Sequence, residues 1–202
     1  GDMYEKAMGD FILDWFDSKS YVELNTSGTT GAPKIVRIEK QAMVNSAIAT
    51  GDFFDLQPGN KALHCLPCKY VAGKMMFVRA LILGLDMDVV EPSSHPVVKN
   101  DVKYDFVAML PMQVQHSIGK LENVKKLFIG GSKINNELVK ELSNLKTQVF
   151  ETYGMTETLT HIAAKNIIEE AFHLLPNINI TQDDRNCLVI DAPGIAAESV
   201  VT

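Results

Sequence analysis

The chain has 202 residues, of which 46% are hydrophobic and 22% charged, and its formal net charge at pH 7 is −6. These values are typical of a globular domain with a core, and the negative charge disfavours a nucleic-acid partner. The sequence has no apolar run of about eighteen residues for a membrane span, and its three cysteines, an odd number, disfavour a disulfide framework. We therefore expect a cytoplasmic protein with no nucleic-acid or membrane partner, and a homo-oligomer is compatible with the sequence.

Helical and strand patterns alternate along the chain. In chain order they predict helix 4–16, strand 21–25, strand 35–39, helix 40–54, strand 61–66, helix 70–84, strand 86–90, strand 104–110, helix 112–120, strand 126–129, helix 135–145, strand 148–152 and short strands 161–165, 178–182 and 187–190. This order predicts an α/β fold with a mostly parallel sheet and helices on both faces, whose ligands bind beyond the carboxyl ends of the strands. We divide the chain into an α/β core, 1–160, and a β-rich end, 161–202.

Residues 26–34, Thr-Ser-Gly-Thr-Thr-Gly-Ala-Pro-Lys, form a segment rich in glycine and hydroxyl side chains. Glycines allow close backbone approach, hydroxyls donate hydrogen bonds to anionic oxygens, and Lys34 adds a positive charge. The pattern is not the usual phosphate loop, because Ala-Pro-Lys and a strand follow the second glycine. From composition alone, an anion-binding loop and a hairpin turn with exposed hydroxyls both remain open.

The same nine residues, without a gap, resemble the signature loop of the AMP-forming acyl- and aryl-CoA synthetases, luciferases and nonribosomal adenylation domains. The resemblance implies a loop that closes over the β- and γ-phosphates of ATP. It assigns phosphate binding to Thr26, Ser27, Gly28, Thr29, Thr30, Gly31 and Lys34.

Residues 153–157, Tyr-Gly-Met-Thr-Glu, resemble a second motif of that superfamily, Tyr-Gly-x-Thr-Glu. The resemblance implies that the Thr156 hydroxyl contacts the α-phosphate and that Glu157 helps to hold Mg²⁺. The chemistry fits, because a hard divalent cation prefers carboxylate oxygen together with substrate phosphates. We predict Thr156, Glu157 and Lys34 as catalytic residues, with Glu157 as the metal ligand.

A Gly-Gly-Ser turn at 130–132 lies between the two motifs and resembles the superfamily turn that lines the adenine and acyl pockets. Alone, a Gly-Gly pair is usually only a turn. Here it follows a predicted strand and precedes a predicted helix, as in the superfamily. Together with the aromatic ring before Gly-Met-Thr-Glu, the resemblance implies an adenine site formed by Gly130, Gly131, Ser132, Tyr153 and Gly154.

Residues 66–79 resemble the superfamily segment Leu-Pro-x-x-His/Phe-x-x-Gly, in which an aromatic residue or His gates the acyl pocket. Tyr70 takes the gating position, and Gly73 would shape the wall. Lys74 is a candidate for contact with the acid, although a solvent-facing lysine is the more ordinary interpretation. We include all three among the predicted substrate-binding residues.

Arg79 interrupts the apolar run 75–85, and a buried charge is unfavourable unless it is paired. One interpretation is a salt bridge to an acidic side chain, and the other is a fork for a carboxylate of the substrate. The stretch 62–90 resembles the o-succinylbenzoate–CoA ligases of menaquinone biosynthesis, whose substrate carries a second carboxylate. Arg79 is therefore a predicted substrate-binding residue.

The resemblance implies two half-reactions: ATP- and Mg²⁺-dependent conversion of a carboxylic acid to an acyl-adenylate, and its transfer to coenzyme A. Activation of another aryl or fatty acid, or a nucleotide-binding module without catalysis, remains an alternative. The chain ends before the superfamily segment that carries the ribose-binding Asp, the hinge and the small domain with the catalytic Lys. We therefore expect that domain to be absent and the isolated chain to be poorly active or inactive.

A competing motif is Cys65-Leu-Pro-Cys68-Lys69, which is typical of thioredoxin-like dithiol oxidoreductases. This interpretation leaves both phosphate motifs unexplained, and the Trp that usually flanks such a motif is missing. A zinc site would need four ligands, and His64 adds only a third. The other histidines, including His161, are interpreted as structural or surface residues.

Overall fold

The computed structural model of the chain describes residues 3–26, 34–196 and 198–202, without the side chains of Asn25, Thr26, Lys34 and Thr156. The elements are α1 (Met3–Phe16), β1 (Tyr21–Thr26), β2 (Lys34–Glu39), α2 (Lys40–Phe54), β3 (Lys61–His64), α3 (Val71–Leu83), β4 (Asp86–Val89), β5 (Tyr104–Met109), α4 (Pro111–Gln115), β6 (Val124–Ile129), α5 (Asn136–Leu142), β7 (Gln148–Gly154), β8 (His161–Asn166), β9 (His173–Leu174), β10 (Asn179–Gln182), β11 (Leu188–Asp191) and β12 (Val200–Val201). Short 3₁₀ turns cover Ile118–Asn123 and Thr156–Thr158.

The main sheet has seven strands in the order β4-β3-β5-β6-β7-β8-β9. Neighbouring strands from β4 to β7 are parallel, and β8 and β9 are added antiparallel at one side. The parallel neighbours β3–β4, β5–β6 and β6–β7 are each connected through a helical segment, as parallel pairing requires. The predicted α/β fold with a mostly parallel sheet is confirmed.

Strand β5 is buried on both faces, and its alternating side chains enter two different cores. Val107 and Met109 belong to the cluster that contains residues of α4 and α5. Phe106 and Ala108 belong to the cluster that contains residues of α2 and α3. Because successive side chains of a strand point to opposite faces, helices cover both faces of the sheet, as predicted.

The hairpin β1–β2 carries the glycine-threonine segment between its strands, with the backbone of Thr26 paired to that of Lys34. Leu24 and Ile38 place the hairpin on a third apolar cluster that also contains residues of α1, α2 and α3. The ends of the predicted phosphate loop are therefore held on the packed part of the chain. Residues 27–33 of that loop lie outside the described residues.

The chain after residue 160 takes part in two sheets. Strands β8 and β9 extend the main sheet, whereas β10, β11 and β12 form a separate antiparallel sheet. The small sheet packs through Ile190, in a cluster that also contains Ile162 and Leu175. The main sheet therefore continues into the region predicted as the β-rich end.

The helix predicted over 112–120 differs from the structure, in which α4 stops at Gln115 and a 3₁₀ turn follows. Gly119, with its low helix propensity, lies inside the predicted span. The break still leaves Val114 and Leu121 buried in the same core. Separately, none of the helices among the described residues is long and apolar enough to cross a membrane.

Candidate active site

The strand order reverses between β3 and β5, because the chain passes from β3 outward to β4 and then returns to the other side of β3. Such a switch point leaves a crevice at the carboxyl ends of the strands, where α/β proteins bind ligands. A cavity of about 280 Å³ lies at this edge. Its lining includes Leu66, Arg79, Ala108, Met109, Leu110, Phe128, Gly130, Gly131, Thr152, Gly154, Leu159, Thr160 and His161. We call it the switch-point cavity.

Three of the predicted adenine-binding residues, all glycines, lie on the wall of this cavity. A Cβ on Gly130 would come within 2.7 Å of the Thr152 hydroxyl, and a Cβ on Gly154 within 2.2 Å of the Thr160 carbonyl oxygen. Gly131 has a φ of +84°, in the left-handed region that favours glycine. The wall thus needs glycine at these positions for close backbone packing.

The other two predicted adenine-binding residues do not line the switch-point cavity. Ser132 is exposed in the turn after β6. Tyr153 packs against the small-sheet cluster, and its ring centroid lies 6.1 Å from that of Phe172. Because side chains alternate along β7, the ring points away from the face that carries Thr152 and Gly154.

Arg79, on α3, is the one charged side chain among the described residues that line the cavity, and it is only 3% exposed. Its Nε donates to the Thr50 hydroxyl at 3.4 Å, and its Nη2 donates to the Thr160 hydroxyl at 3.2 Å. The remaining contacts are Nη2 to His161 Nδ1 at 3.4 Å and Nη1 to the Met76 sulfur at 3.9 Å. All four partners are uncharged: two are hydroxyls, one is a thioether, and the fourth is the His161 imidazole, whose lowered pKa keeps it neutral at pH 7.

Within the described part of the chain, no carboxylate lies within 4.0 Å of the Arg79 guanidinium. The salt bridge that was one interpretation of this residue is therefore not found there. Burial lowers the pKa of Arg79 to about 10, so the side chain stays positively charged at pH 7. The cavity therefore holds a positive charge that no described side chain neutralises.

His161, at the start of β8, holds Arg79 on one side of its ring and Thr50 on the other. Burial, together with the nearby Arg79 charge, holds the pKa of His161 well below its usual range, so the ring is neutral at pH 7. Nδ1 faces the Arg79 N–H donor and must accept. Nε2 therefore carries the proton and donates to the Thr50 hydroxyl at 3.3 Å.

Sequence reasoning missed His161 as a site residue. The signal available was its position, four residues after Glu157 and at the first residue of a predicted strand. Its partner Thr50 is 111 residues away along the chain, so no local pattern could have indicated the contact. Only the packing of α2 and α3 against β8 brings these side chains together.

Of the four predicted acid-binding residues, Arg79 alone lines the switch-point cavity. Tyr70 stands 48% exposed at the start of α3. Lys74 faces α1, with its Nζ 4.6 Å from the Phe11 ring centroid, and burial lowers the pKa of its ammonium. Gly73 packs against a backbone carbonyl, which a Cβ would approach to 2.3 Å.

Glu157 lies at a second cavity, of about 560 Å³, under the β1–β2 hairpin. Its other walls are strand β2, the first turns of α2 and the turn 194–196. Leu159 lines both cavities, so the two are adjacent. We call this one the hairpin cavity. The side chains of Lys34 and Thr156 are outside the described part of the chain.

A magnesium ion fits this donor set only together with a substrate. Among the described residues, no three His, Cys, Asp or Glu side chains cluster so as to hold a metal ion. The Glu157 carboxylate is exposed to the hairpin cavity. Mg²⁺ commonly uses one or two protein carboxylates, with phosphate oxygens and water as the other ligands.

The dithiol interpretation is not supported. Cys65 and Cys68 are free and buried, and burial raises the pKa of their thiols to about 12 and about 11. A redox-active dithiol needs an accessible thiolate of lowered pKa. These two thiols are protonated at pH 7 and serve the packing at the end of β3.

The chain matches the AMP-binding enzyme family over residues 21–186. It therefore belongs to this family. The matched span includes the hairpin, the parallel strands, both cavities' principal walls and both motifs that carried the resemblance. The predicted membership of the superfamily is confirmed.

Two curated relatives give a more particular similarity. The 2-succinylbenzoate–CoA ligase of Lactococcus lactis is 28% identical over 161 residues, which cover 77% of this chain and 36% of that enzyme. The 2-succinylbenzoate–CoA ligase of Oceanobacillus iheyensis is 30% identical over 154 residues, covering 70% and 32%. The chain thus spans about a third of the length of these relatives.

Solved structures confirm the fold. An acyl-CoA synthetase (AMP-forming)/AMP-acid ligase II-like protein from Dyadobacter fermentans is 35% identical, with a TM-score of 0.91 over all of this chain and 61% of that chain. The O-succinylbenzoate coenzyme A synthetase of Bacillus subtilis, in complex with ATP and magnesium ion, is 18% identical, with a TM-score of 0.74 over 88% of this chain and 42% of that one.

Proposed function

We propose that this chain binds ATP and a carboxylic acid for the acid-activating step of an AMP-forming acid–CoA ligase. The acid is one with a second carboxylate, and o-succinylbenzoate is the candidate. Support comes from membership of the AMP-binding enzyme family, from the similarity to 2-succinylbenzoate–CoA ligases, and from the cavity at the switch point.

The uncompensated charge of Arg79 is the observation that carries the substrate class. A buried charge without a counter-ion is unfavourable, and a substrate carboxylate would supply the missing negative charge. The rest of the lining is largely apolar, with Met109, Leu110 and Phe128 suited to an aromatic or aliphatic body. Nη1 has only a thioether as a partner among the described residues, so it can donate to a ligand.

The ATP side of the reaction is assigned to the hairpin cavity and the motifs beside it. Glu157 would hold Mg²⁺ together with phosphate oxygens, and the ion, when bound, would offset negative charge on the phosphates. Thr156 is proposed to contact the α-phosphate, and Lys34 to bind the outer phosphates with the loop. The chain's own contribution is positioning and electrostatic stabilisation as the carboxylate attacks phosphorus.

The adenine site is proposed on the glycine-lined wall formed by Gly130, Gly131 and Gly154, with Ser132 and Tyr153 beside it. Transfer to coenzyme A is assigned to the complete protein, because the chain spans only about a third of its curated relatives. We expect the 202-residue chain alone to bind its substrates but to turn over slowly or not at all.

Calorimetric titration of the chain with o-succinylbenzoate tests the substrate class, with two monocarboxylate analogues as comparisons. Both analogues keep the carboxyl group to be activated and replace the second carboxylate, by an amide in one and by a methyl group in the other. Each titration is made with Mg²⁺ and a non-hydrolysable ATP analogue present. A charge-assisted hydrogen bond is worth about 1.5–3 kcal/mol, so the dicarboxylate should bind about tenfold or more tightly.

The matched control for this titration is Arg79→Met, which keeps the apolar stem and removes the charge. It should abolish the preference for the dicarboxylate and leave the affinity for the monocarboxylates nearly unchanged. If the wild-type chain binds all three acids equally, or if Arg79→Met weakens all three equally, Arg79 does not receive a second carboxylate.

A further inference from the structure

The Arg79 guanidinium is held along one edge by three side chains. Thr50 on α2 accepts from Nε, and Thr160 and His161 at the start of β8 accept from Nη2. On the other side, the one partner of Nη1 among the described residues is a methionine sulfur at 3.9 Å, which is a weak acceptor. This arrangement fixes a long, flexible side chain while leaving part of its donor capacity for something else.

The His161 ring is itself fixed in orientation. It is buried beside the adjacent rings of Phe54 and Phe128, whose centroids lie 6.3 and 5.6 Å away in edge-on arrangements. Its Nε2 bonds to the Thr50 hydroxyl, which in turn donates to the Ser46 carbonyl oxygen at 2.8 Å. The Nδ1 lone pair faces Arg79 Nη2 at 3.4 Å and the Thr160 hydroxyl at 3.2 Å, and that hydroxyl itself accepts from Nη2.

The neutral character of this contact matters for ligand binding. Aspartate or glutamate at position 161 would neutralise Arg79 and compete with an incoming carboxylate. A neutral imidazole accepts the hydrogen bond and orients the guanidinium without cancelling its charge. The hydroxyls of Thr50 and Thr160 act in the same way. These three neutral acceptors, which we call the neutral cage, fix the orientation of the guanidinium and leave its charge available to the ligand.

We propose that His161 is a positioning residue, which fixes the Arg79 guanidinium through Nδ1 so that its charge remains available to the second carboxylate of the acid substrate. The inference rests on the proposed function, since it requires that Arg79 receive this carboxylate. It adds a specificity role to a residue that lies outside the predicted ATP-binding motifs.

The test compares His161→Asn with His161→Asp. The two side chains have nearly the same shape and can both place an oxygen near the position of Nδ1, but only aspartate carries a charge. His161→Asn should keep the preference for o-succinylbenzoate over its monocarboxylate analogues within about threefold. His161→Asp should lower that preference about tenfold or more, because an internal ion pair replaces the one with substrate.

Two further variants separate positioning from simple packing. His161→Leu removes the acceptor and should also lower the dicarboxylate preference, while the affinity for monocarboxylates stays within about threefold. Thr50→Val, which removes the hydroxyl that holds Nε2, should lower the preference in the same direction and by a smaller factor. A purely structural role for His161 would change the affinity for all acids equally.

The outcomes distinguish this inference from the proposed function. If the wild-type chain shows no preference for the dicarboxylate, both fail. If the wild-type chain shows the preference and His161→Asp retains it, the positioning role of His161 is overturned while the proposed function stands. Thermal melting of each variant tests whether it is folded. If His161→Leu does not fold, His161→Asn replaces it as the readout. Loss of the dicarboxylate preference in His161→Asn would also overturn the inference.

Discussion

Arg79 is the residue on which the proposed substrate class depends, and the structure bears on the two interpretations that its sequence position allowed. As a charge within an apolar helix, it required a partner that the sequence could not name. In the folded chain its partners are the neutral side chains Thr50, Thr160, His161 and Met76. A residue that served only stability would be expected to have a counter-ion at this depth.

Replacing Arg79 by methionine should therefore leave the ligand-free chain as stable as the wild type or more so. Removing an uncompensated buried charge in favour of an apolar side chain can raise the free energy of unfolding by about 1–3 kcal/mol. Urea denaturation monitored at Trp15 measures the change. Arg185→Met, at an exposed arginine paired with Asp183, is the control and should change stability by less than about 0.5 kcal/mol.

A loss of several kcal/mol in Arg79→Met, with no change in Arg185→Met, would contradict this prediction. It would indicate that the hydrogen bonds of Arg79 to Thr50 and Thr160 are structural ties. The change in the free energy of unfolding thus distinguishes an arginine whose role is ligand binding from one that stabilises the fold.

Among the elements, those with a strong repeating pattern and clear ends were predictable. The largely apolar run of β5, the long helix α2 and the strands β1 and β2 all follow from local sequence. The two-residue strands β9 and β12 were not predicted, since two residues show no periodicity. The interruption of α4 was also missed, because the apolar spacing continues across it while the backbone changes from α-helix to a 3₁₀ turn.

Asp88 links three of the parallel strands at the edge of the main sheet. Its carboxylate, on β4, forms ion pairs with Lys61 on β3 at 2.8 Å and with Lys99 at 3.0 Å. It also accepts a hydrogen bond from the Tyr104 hydroxyl on β5 at 3.0 Å. Lys61, the largest influence, together with Lys99 and Tyr104, lowers the pKa of Asp88 to about 2. The folded state therefore favours the ionised form.

A lowered carboxyl pKa stabilises the fold above the pKa of the unfolded chain, and the stabilisation is lost as pH falls toward the folded value. For Asp88 the window runs from about pH 4 down to about pH 2. Asp88→Asn should cost about 1 kcal/mol at pH 7, allowing for solvent screening, and should flatten the decline of stability across this window.

Chemical denaturation at a series of pH values measures the contribution of Asp88. Asp184→Asn, at an exposed aspartate of the loop before β11, is the matched control and should follow the wild-type curve. An Asp88→Asn curve parallel to that of the wild type between pH 4 and pH 2 would show that the strand links do not depend on this carboxylate.

Across the molecule as a whole, the motif at 153–157 reaches two adjacent cavities: Gly154 lines the switch-point cavity, Glu157 lines the hairpin cavity, and Leu159 lines both. The order of the two motifs in the sequence predicts that residues 26–34 bind phosphates and Glu157 binds a metal ion in one site, and these roles stay a prediction. The sequence could not predict the neutral partners of Arg79. Arg79 lies on α3, whereas these partners include side chains from α2 and from the start of β8, which meet it only through long-range packing. The site's charge is local and buried in a chain whose net charge is −6.

Acid-dependent exchange of radiolabelled pyrophosphate into ATP, measured on the complete gene product, tests acid activation most directly, because exchange requires reversible formation of an acyl-adenylate. We predict exchange that needs Mg²⁺ and an acid, with o-succinylbenzoate preferred over its monocarboxylate analogues. Arg79→Met should lower kcat/KM for the dicarboxylate about tenfold or more and leave the monocarboxylates nearly unchanged. Binding of ATP and acid without any acid-dependent exchange would contradict acid activation and indicate a nucleotide-binding module without catalysis.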